Sequence, residues 1–420
     1  MRSTISIYAT AVGLVVALAA HGQSPRYTVI DLGTPGLGGP NSVAFGINNA
    51  GRVGGGATLP TGNQHPFLWH DGHMIDLHTL GGPNGTASGP NGRDELAIVA
   101  ETSTSDPLHE DFCGFGTHLI CLGAIRREGA LTPLPTLGGN NGAALALNNR
   151  GQVVGYAENR MRDASCASPQ VLDYEAVIWG PNAGEIHPLP PLPGDTVGFA
   201  LGINDKGQVV GSSGPCANTP LVPLQLGPHS VLWENGSPKN LGSLGGKLNN
   251  VAAAINNRGE VVGASDLPGD TALHTFLWTR ETGMQDLGTV GMDVSSLPAG
   301  MSGINNRRQV VGASCMTPDF ISGPCRAYIW QNNVMVDLNA LIPMNSPLYL
   351  AFALGINDVG EIVGLAVDNT GDTHAFLAVP VNSEADRESF SPTERRVTSP
   401  RAVPDSARRL LRQRFGIVGR

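Results

Sequence analysis

The stretch Asn250–Gly291 reads NVAAAINNRGEVVGASDLPGDTALHTFLWTRETGMQDLGTVG, four short apolar runs separated by turn residues. Val251–Ile255 is apolar, and Asn257-Arg258-Gly259 supplies a turn. Val261 and Val262 carry a second strand, His274–Trp278 a third, and Met284–Leu287 a fourth after a turn at Gly283. Runs of this length, rich in Val, Ile, Phe and Trp and bounded by Gly, Asn and Asp, read as strands joined by hairpins. They are too short and too punctuated for helices. A unit of four strands cannot bury both of its faces alone, so neighbouring copies must supply the rest of the core.

Copies of this unit run along the chain. INNAGRVGG at Ile47–Gly55, LNNRGQVVG at Leu147–Gly155, INDKGQVVG at Ile203–Gly211, INNRRQVVG at Ile304–Gly312 and INDVGEIVG at Ile356–Gly364 repeat the first hairpin. An eroded version stands at Gly89–Ala100. The turn asparagines Asn48, Asn91, Asn148, Asn204, Asn256, Asn305 and Asn357 are 43, 57, 56, 52, 49 and 52 residues apart. A spacing near 50 with four strands per unit points to a propeller or another repeat array. The ends of the pattern choose between them. The last copy stops after its third strand, and Tyr27–Leu32 is a spare fourth strand with nothing before it. An open array would need a cap at each end. In a ring the spare strand completes the last sheet and removes two exposed edges. The expectation is an all-β, seven-bladed β-propeller over residues 23–380, closed by strand 27–32.

The H-A-F-L of His374–Leu377, the I-N-N-x-G-x-V-V-G runs and D-L-G-T at Asp286–Thr289 resemble the HAF repeats of bacterial extracellular proteins, over about residues 27–379. That resemblance implies secretion and a β-rich repeat fold, and brings no activity or catalytic residue with it.

Composition agrees with a turn-rich β protein: Gly is 56 and Pro 31 of 420 residues, without a three-residue period, and charged residues are 15%. The formal charge of −9 is mild, and no basic stripe crosses the repeats, so nucleic acid is not an expected partner. Arg2, the apolar Ile5–Ala20 and the small-x-small Ala20-His21-Gly22 read as a secretory signal peptide over residues 1–22. No later stretch is long enough for a membrane span, and a secreted or periplasmic monomer is expected. Beyond the repeats, Asn382–Arg420 holds nine Arg against five acidic residues. Residues 381–420 are expected to be a disordered basic tail, with Ser406–Phe415 as a short helix if the tail tethers the protein.

The repeated residues explain the blade rather than a site. Gly accepts the positive φ of the tight turn, and Asn or Asp bonds its own backbone. His65, His229, His274 and His374 share one third-strand position in different blades and should diverge, so no metal and no cofactor is expected. The five tryptophans, Trp69, Trp179, Trp233, Trp278 and Trp330, end that same strand and should pack between sheets. A unique site must use what the blades do not share. Large insertions fall between second and third strands at Glu101–His118, Glu158–Asp173, Ser212–Pro228 and Ser314–Cys325. They should crowd one mouth of the channel, where loops on a rigid scaffold carry function.

All six cysteines lie in or beside those insertions. Fifteen pairings exist, and proximity favours Cys113–Cys121 and Cys315–Cys325 within loops; Cys166–Cys216 would then link neighbouring blades three and four. The same loops hold the candidate binding residues Asp106, His109, Glu110, Asp111, Asp163, Asp173 and His229. No nucleophile elbow, phosphate loop or zinc-protease motif appears. The leading expectation is a non-catalytic binding or scaffolding module that recognises a glycan or protein through these loops. The alternative is an extracytoplasmic polysaccharide hydrolase or lyase using a pair of loop carboxylates.

Overall fold

The computed structural model describes residues 27–182, 184–216, 227–298, 300, 302–318, 323–381 and 401–409. The expected signal peptide lies outside the described residues. Seven antiparallel sheets stand as the blades of a β-propeller, as the repeats require. Blade one is Ser42–Ile47, Val53–Thr58, Gln64–His70 and His73–Asp76, each strand bonded to the next. Blades two to five repeat that order. In blade six the first strand is Ser295–Leu297, followed by Pro298, and pairing with the second strand resumes at Ile304. Blade seven holds Tyr349–Ile356, Ile362–Val367 and Thr373–Pro380, and its fourth position is taken by Tyr27–Asp31. Tyr27 lies opposite Pro380 and Asp31 opposite Phe376. The seventh sheet is thus made from both ends of the repeat region.

The glycine closing each V-V-G run has a packing cause. In blade five the pairing of first and second strands slips between Ala252 and Ala254, and blades one, three and four slip at the equivalent place. This bulge drives the Val251 carbonyl over Gly263, where an added Cβ would sit 2.0 Å from the oxygen. The carbonyls of Phe199 and Phe352 approach Gly211 and Gly364 equally closely.

Apolar clusters fill the seams between sheets. Trp179 packs with Ala97 and Ile125 of blade two, and Trp233 with Val154 of blade three. Trp278 meets Val210 and Leu232 of blade four, and Trp330 meets Val262 and Leu277 of blade five. Trp69 packs with Val363 and Leu377 of blade seven, so the seam between last and first blades is like the others. The Trp179 and Trp233 indole N–H groups donate to the carbonyls of Pro135 and Pro190 in the blade connections, at 2.8 and 2.7 Å. The tryptophans therefore serve the seams, as their spacing suggests.

The three disulfides are Cys113–Cys121 and Cys315–Cys325, the pairs that proximity favours, and Cys166–Cys216, the pair that these leave. Cys166–Cys216 joins the loops of blades three and four. Near the insertion end of the channel Phe112, from the blade-two loop, meets Tyr156 and Tyr174 at ring distances of 5.1 and 6.3 Å. These rings join a central cluster with Phe45, Phe199 and Tyr349 of the first strands.

The C-terminal segment corrects one expectation. Residues 401–409 are not disordered but docked on this end of the propeller. Arg401 and Ala402 pair with Cys325 and Pro324 as a fifth strand of blade six, and residues 405–409 form a helical turn. Val403 and Ala407 are buried in the central cluster, and the Arg401 guanidinium lies 5.3 Å from the Tyr349 ring. Two small apolar side chains and the stem of an arginine suffice to seat a segment whose overall composition reads as a solvated tail. No helix of the described residues is long and apolar enough to cross a membrane.

Candidate functional site

The acidic side chains of the inserted loops are mostly used internally. Asp106 and Glu110 are buried. Glu110 Oε1 accepts from the backbone N–H groups of Val171 and Leu172 at 2.6 and 2.8 Å, so the blade-two loop grips the blade-three loop. Gln170 Nε2 donates to Glu110 Oε1 at 3.2 Å and to Glu158 Oε1 at 2.9 Å. Glu158 Oε2 accepts from the N–H groups of Asn140 and Asn141, and Asn141 Nδ2 reaches on to Asp106 at 2.9 Å. Burial raises the pKa of both Glu110 and Glu158, and each is raised further by a neighbouring carboxylate, Asp106 for Glu110 and Glu110 for Glu158. The sequence offered Glu158 only as the edge of an insertion. It is the centre of this network, and no spacing rule marks it.

Of the other expected site residues, Asp163 and Asp173 come together, with carboxylate oxygens within 4.8 Å of each other, and the rest are scattered. Asp111 accepts twice from the Gly116 N–H at 3.0 Å, and His109 is exposed beside His118. Asp163 caps its own turn through Ser165 N–H at 2.7 Å. Asp173 is pushed up to about 6 by burial and by Asp163. His229 lies in blade four, where Nδ1 is 2.8 Å from Asp195. The seven residues do not converge on one open pocket.

The third-strand histidines have partners within their own blades. His65 faces Asp76, His274 faces Asp286 and His374 faces Asp31, each at 2.9 to 3.0 Å. The bond to Asp286 raises the His274 pKa, and the bond to Asp31 raises that of His374. A sequence signal exists for this pairing in blades one, five and seven, where the histidine recurs with an aspartate on the fourth strand; blade three has Glu175 and no such aspartate, and blade four has SPKN as its fourth strand and pairs His229 with Asp195 instead.

The opposite end of the channel is lined by the repeated turns. The seven turn asparagines form a closed belt. Asn48 Nδ2 donates to the Asn91 carbonyl, Asn91 to Asn148, Asn148 to Asn204, and Asn204 to Asn256. Asn256 donates to Asn305, Asn305 to Asn357, and Asn357 back to Asn48, every bond 2.9 to 3.0 Å. In six of the turns Oδ1 accepts the N–H groups two and four residues on, and Asn305 follows the same pattern with Arg307 and Gln309. Sequence reasoning found the turn role and missed the link between blades.

An incomplete second ring sits outside the belt, where Asn149, Asp205, Asn257, Asn306, Asp358 and Asn49 bond side chain to side chain or to backbone, and blade two has the side-chain-less Gly92 at this position. Burial opposes ionisation of Asp205, but hydrogen bonds from Asn149 and Asn257 outweigh it and hold the carboxyl below the usual range. The two rings line a funnel of about 240 Å³ that all seven blades share. At its rim blades two to six each carry a cation, Arg93, Arg150, Lys206, Arg258 and Arg307.

Blade six breaks the repeat at this rim. Where blades one, three, four, five and seven have Gly51, Gly151, Gly207, Gly259 and Gly360, it has Arg308, at φ 60°, and blade two has Asp94, at φ 61°. An arginine in the left-handed region is uncommon and held there by its surroundings. Its guanidinium pairs with Glu260 of blade five, which also pairs with Arg258 at 3.4 Å. Beside them opens a cavity of about 510 Å³ lined by Arg258, Arg307, Arg308, Gln309, Trp330, Gln331, Asn332 and Asn333. Glu260 neutralises one of the three guanidinium groups, and that of Arg307 makes no ion pair among the described residues.

No protein-family model matches the chain, and no curated protein sequence matches it. Among solved structures it is similar to a triple mutant of AofleA from Arthrobotrys oligospora, at 10% identity over 87% of this chain and 96% of that one, with a TM-score of 0.32. It is also similar to the Aleuria aurantia lectin in complex with Fucα1-6GlcNAc, at 9% identity over 82% and 97%, TM-score 0.32. For Trypanosoma rangeli sialidase the values are 9%, 85% and 60%, TM-score 0.37. Likeness at this level says nothing about what this chain binds.

Proposed function

We propose that the chain is a non-catalytic binding propeller that takes up a glycan bearing carboxylate or sulfate groups, on the face of the asparagine turns. The observation that carries this reading is the cavity between blades five and six, where Arg258, Arg307 and Arg308 meet the amides of Gln309, Gln331, Asn332 and Asn333. Guanidinium groups match carboxylate and sulfate oxygens in pairs, and side-chain amides serve sugar hydroxyls. Blade six departs from its repeat there, at Arg308. A glycoside hydrolase needs two accessible carboxyl groups on either side of the scissile bond. Glu110 and Glu158, one convergent pair of the inserted loops, are instead buried and spoken for by backbone N–H groups, and the other pair, Asp163 and Asp173, stands against the Cys166–Cys216 disulfide. In this reading the inserted loops close one mouth and the ligand meets the other.

An array of neutral, uronic-acid and sulfated oligosaccharides tests it, with recovered sugars examined by mass spectrometry. Acidic oligosaccharides are expected to bind, more weakly as salt screens the arginines, and to be recovered intact. Arg307→Ala should weaken binding about 10-fold, the worth of a charged hydrogen bond. Equal binding of neutral sugars, no effect of Arg307→Ala, or release of cleaved products would each sink the proposal.

A further inference from the structure

We infer that blade one carries a site for a divalent transition metal, made from His65, Asp76 and His78. The repeated pair His65–Asp76 is shared in kind with blades five and seven; His78 is not. In the other blades with this pair, the residue two after the aspartate is Gly288 or Gly33, at φ 73° and 49°. Blade one holds the same left-handed turn with a histidine, at φ 57°. The backbone N–H of His78 donates to Asp76 Oδ1 at 2.8 Å, as Gly288 N–H does to Asp286, so the turn is unchanged and only an imidazole has been added.

That imidazole comes back onto the pair. Asp76 Oδ2 is 2.9 Å from His65 Nδ1 and 3.5 Å from His78 Nδ1, and the donor atoms of all three lie within 4.8 Å of one another. Tetrahedral zinc, with bonds of about 2.0–2.2 Å, requires its ligand atoms roughly 3.3–3.5 Å apart. The three side chains therefore stand close to coordinating distance without any rearrangement of backbone. Two imidazoles with one carboxylate suit Zn²⁺, Ni²⁺ or Cu²⁺ rather than Ca²⁺ or Mg²⁺, which prefer oxygen ligands. His78 is exposed, so further coordination positions face solvent.

Two neighbouring features do not compete. His70 and His73 stand opposite each other at the far end of the hairpin. The other convergent group, Asp163, Asp173, Cys166 and Cys216, offers no thiolate because its two cysteines are joined to each other. The site lies on the insertion face and is independent of the arginine cavity.

The test uses the full chain without an affinity tag. Calorimetric titration with Zn²⁺ is expected to show one ion per chain, and Co²⁺ to give the visible absorption of a low-coordinate site. His78→Gly restores the residue that the repeat carries, so the fold survives. Loss of an outer-shell partner already costs 10–100-fold in affinity, so loss of this ligand should cost at least about 100-fold. Gly288→His, beside His274 and Asp286, should raise the stoichiometry to two. No saturable binding in the natural chain, or His78→Gly binding as tightly as the natural chain, overturns the site. A stoichiometry that stays at one in Gly288→His overturns the claim that these three side chains suffice.

Discussion

Asn357 Nδ2 donates to the carbonyl of Asn48 at 2.9 Å, across 309 residues of chain. This bond is the same as the six between consecutive blades, so the belt has no seam where the ends of the repeat region meet. Each belt asparagine holds its own turn with one end of the amide and the next blade with the other. An aspartate, favoured in isolated turns, can do only the first.

Asn256 shows the difference. Its Oδ1 accepts from the N–H groups of Arg258 and Glu260, and its Nδ2 donates to the Asn305 carbonyl and to Glu260. Asn256→Ala should cost about 3 kcal/mol, since buried groups in two blades lose partners. Asn256→Asp should cost more than about 2 kcal/mol, although it keeps the turn. Urea unfolding measures both, and an aspartate tolerated without loss would show that the inter-blade bond is unimportant.

The V-V-G glycines make a sharper claim. A Cβ on Gly263 would lie 2.0 Å from the Val251 carbonyl, with Phe276 also within 2.5 Å. Gly263→Ala must move backbone and should cost about 3 kcal/mol or more. Gly283→Ala meets nothing within 4 Å and suffers only its φ of 69°, about 1–2 kcal/mol. Equal thermal shifts for the two would contradict the packing explanation.

His274 and His374 have folded pKa values raised by Asp286 and Asp31. A raised histidine contributes stability that is whole below its unfolded value, about 6.5, and fades as pH climbs through the folded one. His274→Gln should therefore lower the melting temperature more at pH 5.5 than at pH 8.5. The ordering at the two pH values is the measurement; the reverse ordering would remove the ion pair as the cause.

Glu158 runs the other way. Burial, with Glu110 nearby, pushes its pKa up to about 8. The unfolded chain loses this proton near the ordinary carboxylate value, so the penalty grows as pH rises from about 4.5 and levels off above about 8. Glu158→Gln keeps an acceptor for Asn140 and Asn141 and has no charge to bury. Its gain in melting temperature should be larger at pH 8 than at pH 4.5, and a gain independent of pH would rule out this account.

The disulfides separate by span. Cys166–Cys216 spans 50 residues and two blades, whereas Cys113–Cys121 spans 8. Loop entropy assigns about 4 kcal/mol to the first and about 2.5 to the second. Serine replacement of each pair, compared by denaturant unfolding, should reproduce that order.

Blades, seams and disulfides were legible because each rests on a period, on proximity along the chain or, for Cys166–Cys216, on being the pair left over. The count of seven follows from Asn48 to Asn357, and Trp179 or Trp233 declares its seam by ending the same strand in successive copies. The belt was not legible, since a pattern that repeats every 50 residues looks the same whether Asn256 bonds its own turn or also Asn305. Glu158 was hidden for another reason. Its partners, Gln170 and Glu110, come from two insertions with no shared register. Residues 401–409 escaped because docking there needs only Val403, Ala407 and an arginine stem, too few to mark an element. His78 was readable in principle, as the place where a histidine stands for a repeated glycine.

The mixed seventh sheet sets a timetable. Asp31 and its partner His374 are 343 residues apart, so the first strand made must wait for almost the last. Synthesis at about 5–20 residues per second puts roughly 20–70 s between them. During that interval blades one to six can form, but Thr373–Pro380 does not yet exist to cover Tyr27–Asp31. Until Thr373–Pro380 has been made, Tyr27–Asp31 is therefore without the strand that it pairs with in the native sheet.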